Sequence, residues 1–164
     1  MQLHFESFGD ANQPPLLILH GFFASSRNWR QMARQLSNHF HVTVLDLRNH
    51  GSSPHDPVLD YPAMAADVLQ FIDQQSYTKV SLLGHSMGGK AAIWFALHYP
   101  ERVLKLLVAD ISPVTYHHDF TQTIQALKNL PLDQISNRRQ AEEQLAEAIP
   151  ELSYRQFLLQ NLQL

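Results

Sequence analysis

A chain of 164 residues, 45% of them hydrophobic and carrying a formal charge of −3, is long enough for one globular unit with its own core, and nothing in it suggests disorder. Twelve basic residues against fifteen acidic, scattered without a basic block, leave no electrostatic footprint for nucleic acid, and the absence of cysteine excludes disulfides and thiolate metal sites. Neither a signal-peptide pattern at Met1-Gln2-Leu3-His4-Phe5-Glu6 nor an apolar run near the ~20 residues of a membrane span is present, so the cytoplasm is the expected compartment and no membrane partner is expected.

In chain order, an alternation at Leu3, Phe5 and Ser7, ended by Gly9-Asp10, predicts a first, more exposed strand. Residues 16–19 and 42–47, and later 80–83 and 103–108, are short runs rich in leucine and β-branched residues and predict four buried strands. Trp29, Met32, Ala33 and Leu36 recur at i, i+3, i+4 and i+7, as do Ala65, Val68, Leu69 and Ile72, which predicts two amphipathic helices between strands. Pro62 suits the first turn of the second. Residues 88–97 are apolar nearly all round and close at Pro100, so a buried third helix is expected. Strands alternating with helices imply βαβ crossovers and a mainly parallel sheet, whose ligands bind at the strands' carboxyl ends. After Pro113 helical periodicity continues at 121–130, 137–149 and 153–164 with no further strand, and predicts a separate helical layer. There is no internal repeat and no low-complexity segment.

The chemistry concentrates at Gly84-His85-Ser86-Met87-Gly88, between the strand at 80–83 and the third helix. A G-x-S-x-G turn from strand to helix is so sharp that only small neighbours fit, and it projects the serine hydroxyl alone at its tip. Ser86 is therefore the candidate nucleophile. His20-Gly21-Phe22-Phe23 follows the strand at 16–19, where an oxyanion hole should begin. Acyl transfer to serine builds negative charge on the former carbonyl oxygen, so two preorganised N–H donors lower the barrier; these are assigned to Phe22 and Met87. Asp110, ending the strand at 103–108, would reach the same face and could hold a histidine in the right tautomer or act as an auxiliary carboxylate. The alternative is an Asp capping the turn at Ser112-Pro113. Asp46 also ends a strand, but the turn-rich loop that follows it marks it as structural. Phe22, Phe23 and Tyr116 are candidates for lining an acyl pocket, the alternative being plain core. No H-x-x-x-H pair lies on a predicted helix, so no metal site and no cofactor are expected.

These motifs resemble the α/β-hydrolase superfamily. His20-Gly21, residues 46–53, residues 84–88 and Asp110 occur in that family's order, and Arg48-Asn49-His50-Gly51 with Gly84-His85-Ser86-Met87-Gly88-Gly89-Lys90 is similar to the YbfF-type bacterial esterases. Many members carry Pro-Gly where this chain has Arg48-Asn49, and asparagine tolerates φ > 0 better than most residues, so the exchange is compatible with the turn. The resemblance implies an α/β fold, a mainly parallel sheet flanked by helices, with residues 1–112 as the N-terminal part of the hydrolase core and 113–164 as the start of a helical cap.

It also implies a serine hydrolase acting on a small-molecule ester or acyl thioester through an acyl-enzyme on Ser86. The family's base is a histidine after the last strand, beyond the cap, whereas the last histidine here is His118. His20 flanks the oxyanion hole, His85 is expected to be turned elsewhere by the elbow, and His117-His118 stands at the cap's entrance. The expectation is an N-terminal part of a longer hydrolase, lacking its last strands and its base. Alone it should be nearly inactive, since loss of a triad histidine costs on the order of 10⁶ in kcat, and the strand at 103–108 would be an exposed apolar edge. In the family, a triad acid after the next strand is commoner than one at Asp110. Dehalogenases and epoxide hydrolases of this fold use Asp at the elbow, so Ser86 argues against both. A same-fold carbon–carbon hydrolase or lyase and an inert fragment or binding protein are the other readings. Acyl-chain length and oligomeric state have no signature in the sequence.

Overall fold

The computed structural model describes residues 1–115 and 119–163. Tyr116, named above as a pocket candidate, and His117-His118 lie outside them. The chain divides into two compact units, Met1–Pro113 and Val114–Leu164.

In the first unit five strands form one sheet: β1 (Phe5–Phe8), β2 (Pro15–Leu19), β3 (His41–Leu45), β4 (Val80–His85) and β5 (Val103–Ala109). Their order is β1-β3-β2-β4-β5, with β1 antiparallel to β3 and every other pair parallel. The runs read as buried strands owe their unbroken apolar character to cover on both faces. Leu17, Leu19, Leu45 and Leu82 join a cluster with Met64, Val68 and Ile72 of α2 (Tyr61–Gln74) and with Ala91, Ala92 and Phe95 of α3 (Met87–His98). Leu16, Ile18, Val42, Val44 and Leu83 point to the opposite face and pack with Ala33 and Leu36 of α1 (Arg30–Leu36) and with Trp29. The period of two along each strand thus divides the core into two layers. Each fully buried aliphatic side chain contributes about 1.5–3 kcal/mol. Asp60 caps α2 by accepting a hydrogen bond from the Ala63 N–H at 2.8 Å, with Pro62 in the first turn.

Two expectations need correction. The third helix is not buried all round: Gly88, Gly89, Ala91, Ala92 and Phe95 face the sheet, while Trp94 is 37% and Leu97 73% exposed. A helix on a sheet face has one side against strands, and its apolar composition cannot change that. The run at 103–108 carries two expectations, a buried strand and, without a further strand beside it, an exposed apolar edge. In β5 Leu104 is 54%, Leu106 39% and Leu107 59% exposed, which corrects the first. β5 is the sheet's edge, with no neighbour on its outer side among the described residues.

The second unit contains α4 (Thr121–Lys128), α5 (Arg138–Gln144) and α6 (Leu152–Leu158), with Ile135, Ala141, Leu145, Ile149, Leu158 and Leu159 buried. Asn137 caps α5 by accepting from the Gln140 N–H at 3.0 Å. α5 ends at Gln144, short of the periodic run, and residues 145–148 are turns. Among the described residues no helix is long and apolar enough to cross a membrane.

Candidate active site

β2 pairs with β4 on one side and with β3 on the other, so the chain reverses its direction of growth at β2. In sheets of this kind the crevice at such a switch point, outside the strands' carboxyl ends, is where ligands bind. Leu19 stands opposite Gly84, and the segments following them, His20-Gly21 and His85-Ser86, meet at that edge.

Ser86 forms the junction of β4 and α3 with φ 52° and ψ −117°, a conformation outside the regions a side chain favours. The turn is held from both directions: the Ser86 N–H donates to the Ala109 carbonyl at 3.1 Å, and the Ser86 carbonyl accepts from the Lys90 N–H at 3.1 Å. Its flanking glycines are sterically required. A β-carbon on Gly84 would stand 2.4 Å from the Gly88 carbonyl oxygen, and one on Gly88 would stand 2.3 Å from that of Leu19. Met87 opens α3, so its N–H belongs to the first turn, where helix amides lack intrahelical acceptors.

Gly21 lies against the elbow, close enough that a β-carbon on it would be 3.3 Å from Cβ of Ser86 and 2.9 Å from Nδ1 of His85. Phe22 and Phe23 follow, half-buried, their rings 4.1 Å apart, with Phe23 in the left-handed region at φ 61°. The Phe22 ring also meets His50 edge-on at 5.6 Å. Asp110, at φ 54°, is exposed just past β5, and its Oδ2 lies 3.6 Å from Nε2 of His85. The structure therefore brings Ser86, Met87, Gly21, Phe22 and Asp110 to one edge of the sheet. It also corrects the reading of His85. The ring is not turned away from the site; it lies between the Gly21 loop and Asp110 and meets the Trp29 ring at 6.0 Å.

Beneath this edge lies a polar framework. Asp46, 2% exposed, accepts from the backbone N–H of Ser26 at 2.6 Å and of Ser52 at 2.9 Å and pairs with His4 Nδ1 at 2.9 Å. Burial pushes its carboxyl up, but the donors from Ser52 and Ser26 outweigh it and hold the group below the ordinary aspartate range. Asp46 thus ties the loop after β2 to the loop after β3. Arg48 forms a two-point contact with Asp67, Nε to Oδ2 at 2.7 Å and Nη2 to Oδ1 at 3.0 Å. His20, fully buried, faces Nδ1 to the Gly21 carbonyl at 2.8 Å and accepts the Leu47 N–H on Nε2 at 3.0 Å. Burial pushes its imidazole down to about 4. Sequence reasoning passed over His20 as a mere flank; the one available signal was a histidine directly before a loop glycine at a strand's end. Among the described residues no group of three or more His, Asp or Glu is arranged to hold a metal ion.

Residues 14–164 match the sequence profile of the alpha/beta hydrolase fold. Over 94% of this chain the sequence is 44% identical to the sn-1-specific diacylglycerol lipase ABHD11 of Xenopus tropicalis, spanning 51% of that protein. It is 38% identical to the esterase YbfF of Escherichia coli K12 over 92% of this chain and 59% of that protein. Among solved structures, a marine microorganism esterase superposes with a TM-score of 0.94 at 39% identity, over 99% of this chain and 64% of that one. The chain spans about half the length of the curated relatives it matches.

Proposed function

The chain belongs to the α/β-hydrolase family, and from that premise we propose that it carries the nucleophile and oxyanion donors of a cytoplasmic serine hydrolase acting on carboxylic esters or acyl thioesters. The observation that carries this reading is Ser86 at φ 52°, ψ −117° on the strand-to-helix turn, with Gly21 packed against it.

In this reading Ser86 Oγ attacks the acyl carbonyl carbon, the new C–O bond forms, and the carbonyl's π pair moves onto oxygen. The Phe22 and Met87 N–H groups receive that oxyanion. The serine proton passes to a histidine and from it to the departing alcohol or thiol, and water then cleaves the acyl-enzyme by the same route. His20 does not suit the base's task, because both its ring nitrogens are engaged, by Gly21 and Leu47. His85 faces Asp110. The base is therefore assigned to a histidine in the part of the relatives' length that this chain does not span. Asp110 is assigned to that histidine as its acid, and Phe23 to the acyl pocket.

A fluorophosphonate probe and a panel of p-nitrophenyl esters, acyl-CoA thioesters and vinylogous diketones test the reading on the whole protein. Labelling and ester or thioester turnover are expected, both lost in Ser86→Ala. Labelling that survives the substitution, or turnover of the diketones alone, would reject it.

A further inference from the structure

The loop that carries the Phe22 N–H is governed by one fully buried side chain. The Gly21–Phe22 peptide is planar and trans, so the Gly21 carbonyl and the Phe22 N–H point in opposite directions along one rigid unit. Whatever fixes the carbonyl aims the N–H. The Gly21 carbonyl oxygen faces His20 Nδ1 at 2.8 Å and also accepts the Ala24 N–H at 3.2 Å. The other ring nitrogen faces the Leu47 N–H at 3.0 Å. A backbone N–H can only donate and a backbone carbonyl can only accept, so the two contacts together dictate one neutral tautomer, with the proton on Nδ1 and a lone pair on Nε2.

The ring is wedged in place as well. It packs against His50 at 5.2 Å between centroids, and His50 in turn faces the Arg48 carbonyl through Nδ1 at 2.9 Å and touches the Phe22 ring. The loop after β3 thus supports, through Leu47 and His50, the loop after β2.

We propose that His20 is a positioning residue that aims the Phe22 N–H at the reacting oxygen by donating from Nδ1 to the Gly21 carbonyl while anchored through Nε2 on the Leu47 N–H. This rests on the oxyanion role assigned to Phe22 above.

Two substitutions divide the ring's functions. The amide of His20→Asn reaches the Nδ1 position and keeps a donor for Gly21, whereas that of His20→Gln reaches the Nε2 position and keeps an acceptor for Leu47. In the whole protein His20→Gln is expected to lower kcat by roughly 10- to 100-fold at nearly constant KM, as misaiming one oxyanion donor should. His20→Asn should keep most of kcat while lowering the unfolding temperature. Equal kcat losses in the two variants, following their stabilities, would reduce His20 to a structural residue, and wild-type kcat in His20→Gln would overturn the proposal. Nitrogen-15 NMR of the unmodified protein gives a reading free of folding defects and of turnover. The Nδ1–H tautomer is expected for His20, and an Nε2–H tautomer would overturn the proposal even if Ser86 proves to be the nucleophile. If Ser86→Ala keeps full turnover, the hydrolase reading fails while the tautomer result stands.

Discussion

Gly21 and Ser86 face each other across the carboxyl ends of β2 and β4, with room for a hydrogen and not for a methyl group: a β-carbon on Gly21 would be 3.3 Å from Ser86 Cβ and 2.9 Å from His85 Nδ1. Both neighbours are side-chain atoms, and Gly21 is not at positive φ. Gly21→Ala should therefore leave the fold nearly intact and displace the elbow's neighbours by a few tenths of an ångström. Small misplacements at a reacting centre are costly, so kcat of the whole protein is expected to drop by about tenfold or more with little change in unfolding temperature. A variant that loses stability and activity together would contradict this.

Asp110 sits beside His85 and at the edge where a triad acid could stand. As the acid of the triad, its replacement in Asp110→Asn should cost on the order of 10⁴ in kcat, since the amide would favour the wrong histidine tautomer. Steady-state kinetics on the whole protein decide it. Near-normal kcat would remove Asp110 from the triad and leave it as a partner of His85.

The Arg48–Asp67 pair is enclosed, with side-chain exposures of 9% and 3%. Asp67→Ala removes the two-point partner of Arg48 and the partner of the Met1 N-terminus, leaving Arg48 with Asp56 at 3.6 Å and the Val58 carbonyl at 2.8 Å, so it should destabilise the first unit by up to about 3 kcal/mol. The Arg139–Glu143 pair, whose side chains are 87% and 64% exposed, offers the contrast. Glu143→Ala should leave the urea midpoint unchanged within error. Equal effects of the two substitutions would show that burial of the Arg48 pair does not govern its contribution.

Stability should depend on pH through His20. An unfolded histidine titrates near 6.5, whereas burial holds off protonation of folded His20 until about 4. Between these values the unfolded chain binds more protons, so the stabilisation is complete above about pH 6.5 and is lost as pH falls toward about 4. The gap corresponds to about 3 kcal/mol. His50 is pushed down by its own burial and acts in the same direction. Around His20, the charges of His50 and His85 deepen the effect and that of Asp46 opposes it. Urea midpoints should fall across this window, and fall less steeply in His20→Asn. A flat profile would mean that His20 is accessible to protons in the folded state.

Much of the fold was legible because its signals are local. The runs at 16–19, 42–47 and 80–83 became the central strands and Ala65 to Ile72 a face of α2, since a covered strand and a half-covered helix each impose a period on their own sequence. Of the face expected at Trp29 to Leu36, Ala33 and Leu36 pack on the sheet from α1, Trp29 precedes the helix, and Met32 is 46% exposed. What the period does not reveal is where an element ends up in the sheet. Nothing in the residues of β5 by themselves tells an edge from an interior position; its exposure follows from the lack of a strand beside it among the described residues. Composition does not say which side of α3 meets the sheet, so the apolar run does not reveal that Trp94 and Leu97 are exposed.

The sequence by itself determined the strand-to-helix serine turn, the glycines that permit it, and the His-Gly loop that accompanies it, because each is a constraint among residues a few positions apart. Only the tertiary structure decided what those pieces touch. His20 finds Leu47, Arg48 finds Asp67 and His85 finds Asp110, each 19 to 27 positions along the chain. These pairings depend on which strands lie side by side and on which loop closes over which, a choice made by packing the two apolar layers rather than by the polar residues themselves.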